Sequence, residues 1–288
     1  MTVRTQKLAP AKVNLGLRVL PKRADGFHDI ESIFQTIELK DILDVSVCEG
    51  TGHCSVFCEQ ISLPPENTLS LAYKAFCALM PKPVPSVNVK LTKRIPSGGG
   101  LGGGSSDAVA LVRALEEITE EKLQDEQLDQ IAGTVGSDVF FFCHCGKNID
   151  GAALVTGRGE NVKNITKRRD LHFVLVFPNV FSSTKEAYSL VDELYETDNQ
   201  VIYPPLDKLE SIYNRSIEEW TFCNTFTPAL TSRYKEIEYC LNCIHQSGAL
   251  FSDMSGSGST VFGVFEQREN AINAIELLTK QGLKAVLA

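Results

Sequence analysis

The chain has 288 residues, 43% of them hydrophobic and 22% charged, the make-up of a globular protein near the size where one core divides into two. Its formal charge of −8 argues against a broad nucleic-acid or anionic-membrane surface, so an anionic ligand has to be held by local donors. No apolar run approaches the roughly 20 residues of a membrane span, and no signal-peptide core follows Arg4, Lys7 and Lys12, so a cytoplasmic protein is expected.

From the N-terminus, alternation predicts strands over Val13–Val19, Ser32–Leu39, Leu43–Cys48 and Ser55–Glu59, with turn residues at Ala24-Asp25-Gly26 and Glu49-Gly50-Thr51-Gly52. Asn67–Met80 sets Leu69, Ala72, Tyr73, Phe76 and Leu79 on one helical face. Val87, Val89 and Leu91 then alternate with Asn88, Lys90 and Thr92 as a half-buried strand. Next comes Ile95-Pro96-Ser97-Gly98-Gly99-Gly100-Leu101-Gly102-Gly103-Gly104-Ser105-Ser106-Asp107, and after it Ala108, Leu111, Val112, Leu115 and Ile118 mark a helix. Ser105, Ser106 and Asp107 sit where N-cap and first-turn residues belong, so that helix should start near Ser105. Gln127–Thr134 is a short helix stopped by Gly136, and Val139-Phe140-Phe141-Phe142 has the pattern of a buried strand. Glycines from Gly146 to Gly159 predict a turn or hairpin, with a boundary near residue 155 dividing the chain into domains 1–155 and 156–288.

The second half opens with the apolar strand Leu171–Phe177. Helices are predicted over Lys185–Tyr195, Leu206–Trp220 and Ala229–Gln246, the first two separated by a polar stretch holding Pro204 and Pro205. Ala249–Met254, the turn Ser255-Gly256-Ser257-Gly258-Ser259, a strand at Thr260–Phe265, a helix at Asn270–Gln281 and a strand at Leu283–Leu287 complete it. Such an order suits an α+β sandwich with helices on one face of a sheet. Nine cysteines, an odd number in a chain with no secretory signal, argue against a disulfide framework. Cys143-His144-Cys145 and Cys240-Leu241-Asn242-Cys243 could be metal ligands, but both lie in apolar elements and suit buried reduced thiols better.

Six glycines within Gly98–Gly104, between a strand and a helix, let backbone N–H groups converge where a helix N-terminus adds further donors. That arrangement binds phosphate. The P-loop pattern fails because no Lys precedes Ser105. A dinucleotide fingerprint is met formally by Gly98, Gly100 and Gly103, yet Lys90, Thr92 and Arg94 line one side of a strand that would have to be buried on both faces. A flexible linker is seldom framed so closely by regular elements. Two polar residues stand in apolar surroundings. Lys12 is a candidate for charge stabilisation or an edge-strand lysine, and Asp138 a general base or a turn carboxylate.

Three separated motifs, Pro10-Ala11-Lys12-Val13-Asn14-Leu15, the glycine loop and Ser255–Ser259, resemble the GHMP small-molecule kinase superfamily. Arg23-Ala24-Asp25-Gly26-Phe27-His28, the doubled glycine triplet around Leu101 and Val135-Gly136-Ser137-Asp138-Val139 make the chain most similar to members that phosphorylate a cytidine diphosphate-linked methylerythritol. The resemblance implies a two-domain α+β fold, each domain a mostly antiparallel sheet packed with helices, with the active site in the cleft between them. It implies ATP and Mg2+ as cofactors, with no magnesium ligands assigned, and a small-molecule acceptor rather than a nucleic acid or membrane. Asp138 would be the base for the C2 hydroxyl, with Lys12 holding it ionised. Pro96, Gly98, Gly99, Gly100, Leu101, Gly102, Gly103, Gly104, Ser105 and Ser106 would hold ATP. Asn14 would orient the acceptor, His28 read the cytosine edge, Phe27 and Tyr188 stack on the base, and Ser257 and Gly258 line the site. Phe27 stands where tyrosine is expected, and Asn224-Thr225-Phe226 replaces an Asn-Asp-aliphatic run.

Overall fold

The computed structural model describes residues 3–196 and 201–288. In chain order the elements are β1 (Arg4–Lys22), β2 (His28–Thr51), β3 (Cys54–Cys58), α1 (Thr68–Leu79), β4 (Pro85–Thr92), α2 (Gly103–Thr119), α3 (Asp125–Val135) and α4 (Ser137–His144). They continue with β5 (Ala152–Gly157), β6 (Asn161–Ile165), β7 (His172–Val176), α5 (Thr184–Glu196), α6 (Leu209–Tyr213), α7 (Phe226–Arg233), α8 (Lys235–Gln246), β8 (Phe251–Met254), β9 (Val261–Phe265), α9 (Arg268–Lys280) and β10 (Ala285–Leu287). One sheet has the order β3-β4-β2-β5-β6 with β1 also on β2, and the other runs β10-β7-β9-β8. The pairings are antiparallel apart from β3 on β4, which gives the expected mostly antiparallel α+β architecture.

The contacts divide into two compact units, neither contiguous in sequence. The first comprises the chain through Ala11, Leu39–Ser97 and Gly102–Asp150. In it β4 pairs with the second half of β2 in the register Asp44↔Lys90, so Leu43, Val45, Val87, Val89 and Leu91 face one buried layer. Leu69, Ala72, Tyr73 and Phe76 of α1 and Leu111, Val112 and Leu115 of α2 are buried as well, and α1 packs on α2, α3 and β3. Each of the Val, Leu and Phe side chains among them contributes about 1.5–3 kcal/mol by leaving water. Asn67 caps α1 through its side chain, and its own backbone N–H is taken by Ser70. The second unit holds Lys12–Glu38, Gly98–Leu101 and everything from Gly151 on. Its four-stranded sheet carries Val174, Leu175, Val261, Phe262 and Val264 in the core, with α8 and α9 packed on β9.

Several elements differ from expectation, each for a physical reason. Ser32–Leu39 and Leu43–Cys48 are parts of one strand, β2, with Asp41 buried at its middle. Val139–Phe142 is helical in α4 rather than a strand; a run of four apolar residues fits either element, and Val139, Phe142 and Cys143 fall at helical spacing on the buried side. The α2 helix starts at Gly103, with Gly102 at φ +69 as its N-cap and no side-chain cap, so Ser105 and Ser106 lie inside it. Leu206–Trp220 forms only single 3₁₀ turns around the five residues of α6. There the Arg168 guanidinium draws off the carbonyls of Tyr213 and Arg215, both at 2.9 Å. Ala229–Gln246 is two helices, broken at Tyr234, whose φ of −121° and ψ of 98° are extended and whose hydroxyl donates to Glu186 at 2.8 Å. The polar stretch before Pro204 lies partly outside the described residues.

Candidate active site

The glycine loop is built from its stems inward. In the first unit Asp41 Oδ1 accepts the backbone N–H groups of Arg94 (2.5 Å) and Ile95 (2.9 Å), which ties down the entry to the loop. Lys93 Nζ bonds Asp41 and, at 3.0 Å, Asp107 Oδ2 in the second turn of α2, so one buried ammonium links both stems. Burial works against that charge, but Asp107 and Asp41 together hold the Lys93 pKa above its ordinary value. The Asp107 carboxyl is pushed up to about 7, first by burial and then by Asp41, against the pull of Lys93. A Cβ on Gly103 would stand 2.9 Å from Ile95 and 3.2 Å from Lys93 Nζ, so only glycine lets the helix begin this close to the strand. Ser106 Oγ is fully buried and, among the described residues, has no hydrogen-bond partner. Such an orphan needs explaining.

In the second unit the middle of the loop is pinned by other segments. Gly98 and Gly100 are left-handed, at φ +71 and +75. Leu101 O accepts from Lys12 N at 2.9 Å, and Gly100 O accepts from Ser255 Oγ at 3.0 Å. A Cβ on Gly100 would lie 2.0 Å from Ser255 O, and one on Gly256 3.0 Å from Gly100 O. Glycine turns that are 155 residues apart therefore interlock by backbone contact. The Ser255–Ser259 turn is held in its turn by Asn224, whose Nδ2 donates to Met254 O (2.7 Å) and Gly256 O (2.8 Å). Thr225 Oγ1 donates to Leu17 O and accepts from Val19 N, joining the same segment to β1. Asn224-Thr225-Phe226 thus braces the turn with polar groups that face backbone. Phe181, 74% exposed, reaches within 3.1 Å of where a Gly98 Cβ would be, an aromatic neighbour of the loop that no sequence signal announced.

Beside the loop, Lys12 is 2% exposed on β1. Its Nζ donates to Asn14 Oδ1 at 2.7 Å and lies 4.5 Å from the centre of the Phe34 ring. Asn14 Nδ2 points to Ser32 Oγ at 3.3 Å, so both polar ends of Asn14 are engaged. Ser257 Oγ is 3.3 Å from Thr184 Oγ1, and Gly258, at φ +85, leaves no space for a Cβ beside Met254 Sδ. Asp138 belongs to the first unit, where it is half-buried in the first turn of α4 and favoured by that helix end.

A second cluster in the same unit as Lys12 joins His28 and Tyr188. Their rings stack at 5.0 Å and 26°, and Phe226 meets Tyr188 edge-on at 5.0 Å. His28 Nδ1 is 2.8 Å from Leu20 O, so it carries a proton, while Nε2 is 3.3 Å from Asp192 Oδ1. Asp192 also takes Lys22 at 3.1 Å. Phe27, by contrast, is 49% exposed at the tip of the Arg23–Phe27 turn. Elsewhere, burial pushes the Cys143 thiol up to about 12 and the Cys240 thiol up to about 11, which keeps them protonated at neutral pH.

Two family models match the chain, GHMP kinases N terminal domain over residues 67–146 and GHMP kinases C terminal over residues 206–283. The 4-diphosphocytidyl-2-C-methyl-D-erythritol kinase of Treponema pallidum is 37% identical over 279 residues, covering 95% of this chain and 94% of that protein. A crystal structure of 4-(cytidine 5'-diphospho)-2C-methyl-D-erythritol kinase aligns with a TM-score of 0.77 at 29% identity, over 98% of each chain. Homoserine kinase from Cytophaga hutchinsonii shares the fold, with a TM-score of 0.71 at 17% identity over 99% of this chain and 93% of that one. Two sheets packed with helices and a glycine loop opening α2 are thus those of a GHMP kinase, an ATP-dependent small-molecule phosphotransferase. Within that superfamily the chain belongs to the 4-diphosphocytidyl-2-C-methyl-D-erythritol kinase family.

Proposed function

We propose that the protein transfers the γ-phosphate of ATP to the C2 hydroxyl of 4-diphosphocytidyl-2-C-methyl-D-erythritol, in the methylerythritol phosphate route to isoprenoid precursors. The observation that carries the acceptor is the 37% identity, over nearly the whole of both chains, to a kinase of that name. Residues 1–155 would form the ATP-binding domain and 156–288 the second; the family matches at 67–146 and 206–283 fall on either side of that boundary.

A tertiary alcohol is a poor nucleophile, and a positioned carboxylate that takes its proton speeds attack by about 10²–10⁴-fold. Asp138 has that role here, receiving the C2 hydroxyl proton. Lys12 offsets the charge that develops on the oxygen, and its burial strengthens the effect. Asn14, with its Oδ1 on the Lys12 ammonium, orients the lysine at the acceptor. Backbone donors from Gly98 to Gly104, with Pro96 and Leu101 shaping the turn and Ser105 and Ser106 in the first turn of α2, hold the ATP phosphates. Ser106 Oγ, a hard oxygen that is buried and has no partner among the described residues, would be a ligand for a magnesium ion. Magnesium bound with ATP neutralises charge on the β- and γ-phosphates. Phe27 and Tyr188 offer aromatic faces to the cytosine. His28, whose Nε2 faces Asp192, serves that subsite by packing on Tyr188, and reads the base edge only by releasing Asp192. Ser257 and Gly258 line the site from the brace on Asn224.

The test is ADP release from ATP and magnesium, with and without the diphosphocytidyl acceptor. Turnover that depends on that acceptor supports the reading. Turnover with mevalonate or another small alcohol alone would keep the kinase and discard this acceptor.

A further inference from the structure

The Arg158 side chain packs on an aromatic ring and not on a carboxylate. It sits at the tip of the β5–β6 hairpin, whose last paired residues are Thr156 and Asn161. Gly157 at φ +70 and Gly159 at φ +118 flank it, and its backbone N–H is taken by Glu160 Oε2. That tight turn aims the side chain at the β1–β2 connection. There the guanidinium carbon lies 3.6 Å from the centre of the Phe27 ring, a face-on cation–π contact.

Phe27 is itself held rigidly. Arg23 N donates to Phe27 O at 2.7 Å, and Phe27 N donates to Asp25 Oδ1 at 3.1 Å. The neighbouring Arg23 guanidinium is neutralised by Asp25 (3.0 Å) and Asp29 (2.8 Å). Arg158 differs: among the described residues no ion pair engages its guanidinium, and the nearby Glu160 is committed to the backbone of the turn. A guanidinium packed on a ring still has N–H donors pointing away from it, and their planar fork matches the paired oxygens of a phosphate. In a chain of net charge −8, a guanidinium without an ion pair among the described residues, fixed beside an exposed aromatic ring, suits an anionic ligand with an attached planar base.

We infer that Arg158, stacked on Phe27, is a specificity-determining residue that binds the diphosphate of the cytidine diphosphate-linked acceptor. The inference rests on the acceptor proposed above. It assigns the two halves of the nucleotide handle to adjacent residues, with the base on aromatic faces and the diphosphate on the Arg158 edge.

The experiment compares wild type, Arg158→Met and Arg158→Lys, using CDP and cytidine as probes in calorimetry and the full acceptor in steady-state assays. Methionine keeps a stem over Phe27 but removes the charge and the donors. It is expected to weaken CDP binding and raise KM for the acceptor roughly tenfold, while cytidine affinity, KM for ATP and kcat stay within about twofold. Lysine restores the charge without the planar fork and should recover part of the loss. CDP affinity in Arg158→Met should also fall less steeply with added salt than in wild type. Unchanged CDP affinity in Arg158→Met overturns the inference, as does an equal loss for CDP and cytidine, which would mean that Arg158 only supports the ring. Wild type that turns over another alcohol and binds no CDP overturns the acceptor reading first, and the inference with it.

Discussion

Asp138→Asn keeps the shape of the side chain and removes its basicity. It is expected to lower kcat by about 10²–10⁴-fold with KM for ATP within twofold, measured by coupled ADP release. Wild-type kcat in that variant would take Asp138 out of the mechanism. A different carboxylate, Asp253, tunes stability. It is buried between Thr227 Oγ1 and Met254 N, and burial pushes its pKa up from 3.8 to about 6. Between those values the folded chain holds a proton that the unfolded chain releases, so this contribution is present below pH 3.8 and is lost as pH rises through 6. Asp253→Asn should therefore gain on wild type in urea midpoint between pH 4.5 and 7.5; a difference independent of pH would show that Asp253 does not titrate in this range. Lys12 and Asp138 could be picked out in the sequence because each is polar amid apolar neighbours. Asp41 and Lys93 could not, since the charges that satisfy one another lie 52 residues apart and neither has a local signature.

The glycine loop separates two demands on an element, room to fold and room for a ligand. Gly100→Ala puts a Cβ at 2.0 Å from Ser255 O on a left-handed residue, so the loop or the turn has to move. That variant should unfold at lower temperature and lose ATP binding. Gly104 is a helical residue whose Cβ would meet only Thr68, at 3.4 Å, and alanine there favours the helix by about 1 kcal/mol. Gly104→Ala should keep or raise the melting temperature while weakening ATP, as the methyl group stands among the donors. ATP affinity retained in Gly104→Ala would show that the phosphates do not approach that part of the turn. Elements with a clean period, such as α1, β4 and α9, were legible in the sequence. Two of the misjudged ones have causes outside their own span: Arg168 takes the carbonyls that would have lengthened α6, and Glu186 holds Tyr234 at the break between α7 and α8.

For the whole chain, ligand binding should appear as stability. ATP with magnesium at a hundred times its dissociation constant stabilises the folded state by about 2.7 kcal/mol, several degrees in melting temperature. No shift with wild type would contradict the nucleotide site. The broad architecture was accessible from the order of strands and helices, but the membership of the two units was not. Local pattern does not reveal that Lys12–Glu38 and Gly98–Leu101 cluster with residues beyond Gly151. That interleaving bears on how the protein is made. The first unit has all its segments once synthesis reaches Asp150, whereas the second then has β1 and its partner β2 but lacks β5, which pairs with β2, and everything after it. At about 5–20 residues per second the delay is on the order of ten seconds. For that interval the buried residues Val13, Leu15 and Val19 have β2 beside them but not the rest of their core, and chaperones have to shield them. Synonymous codons that slow translation after residue 150 should therefore lower soluble yield without changing the finished enzyme.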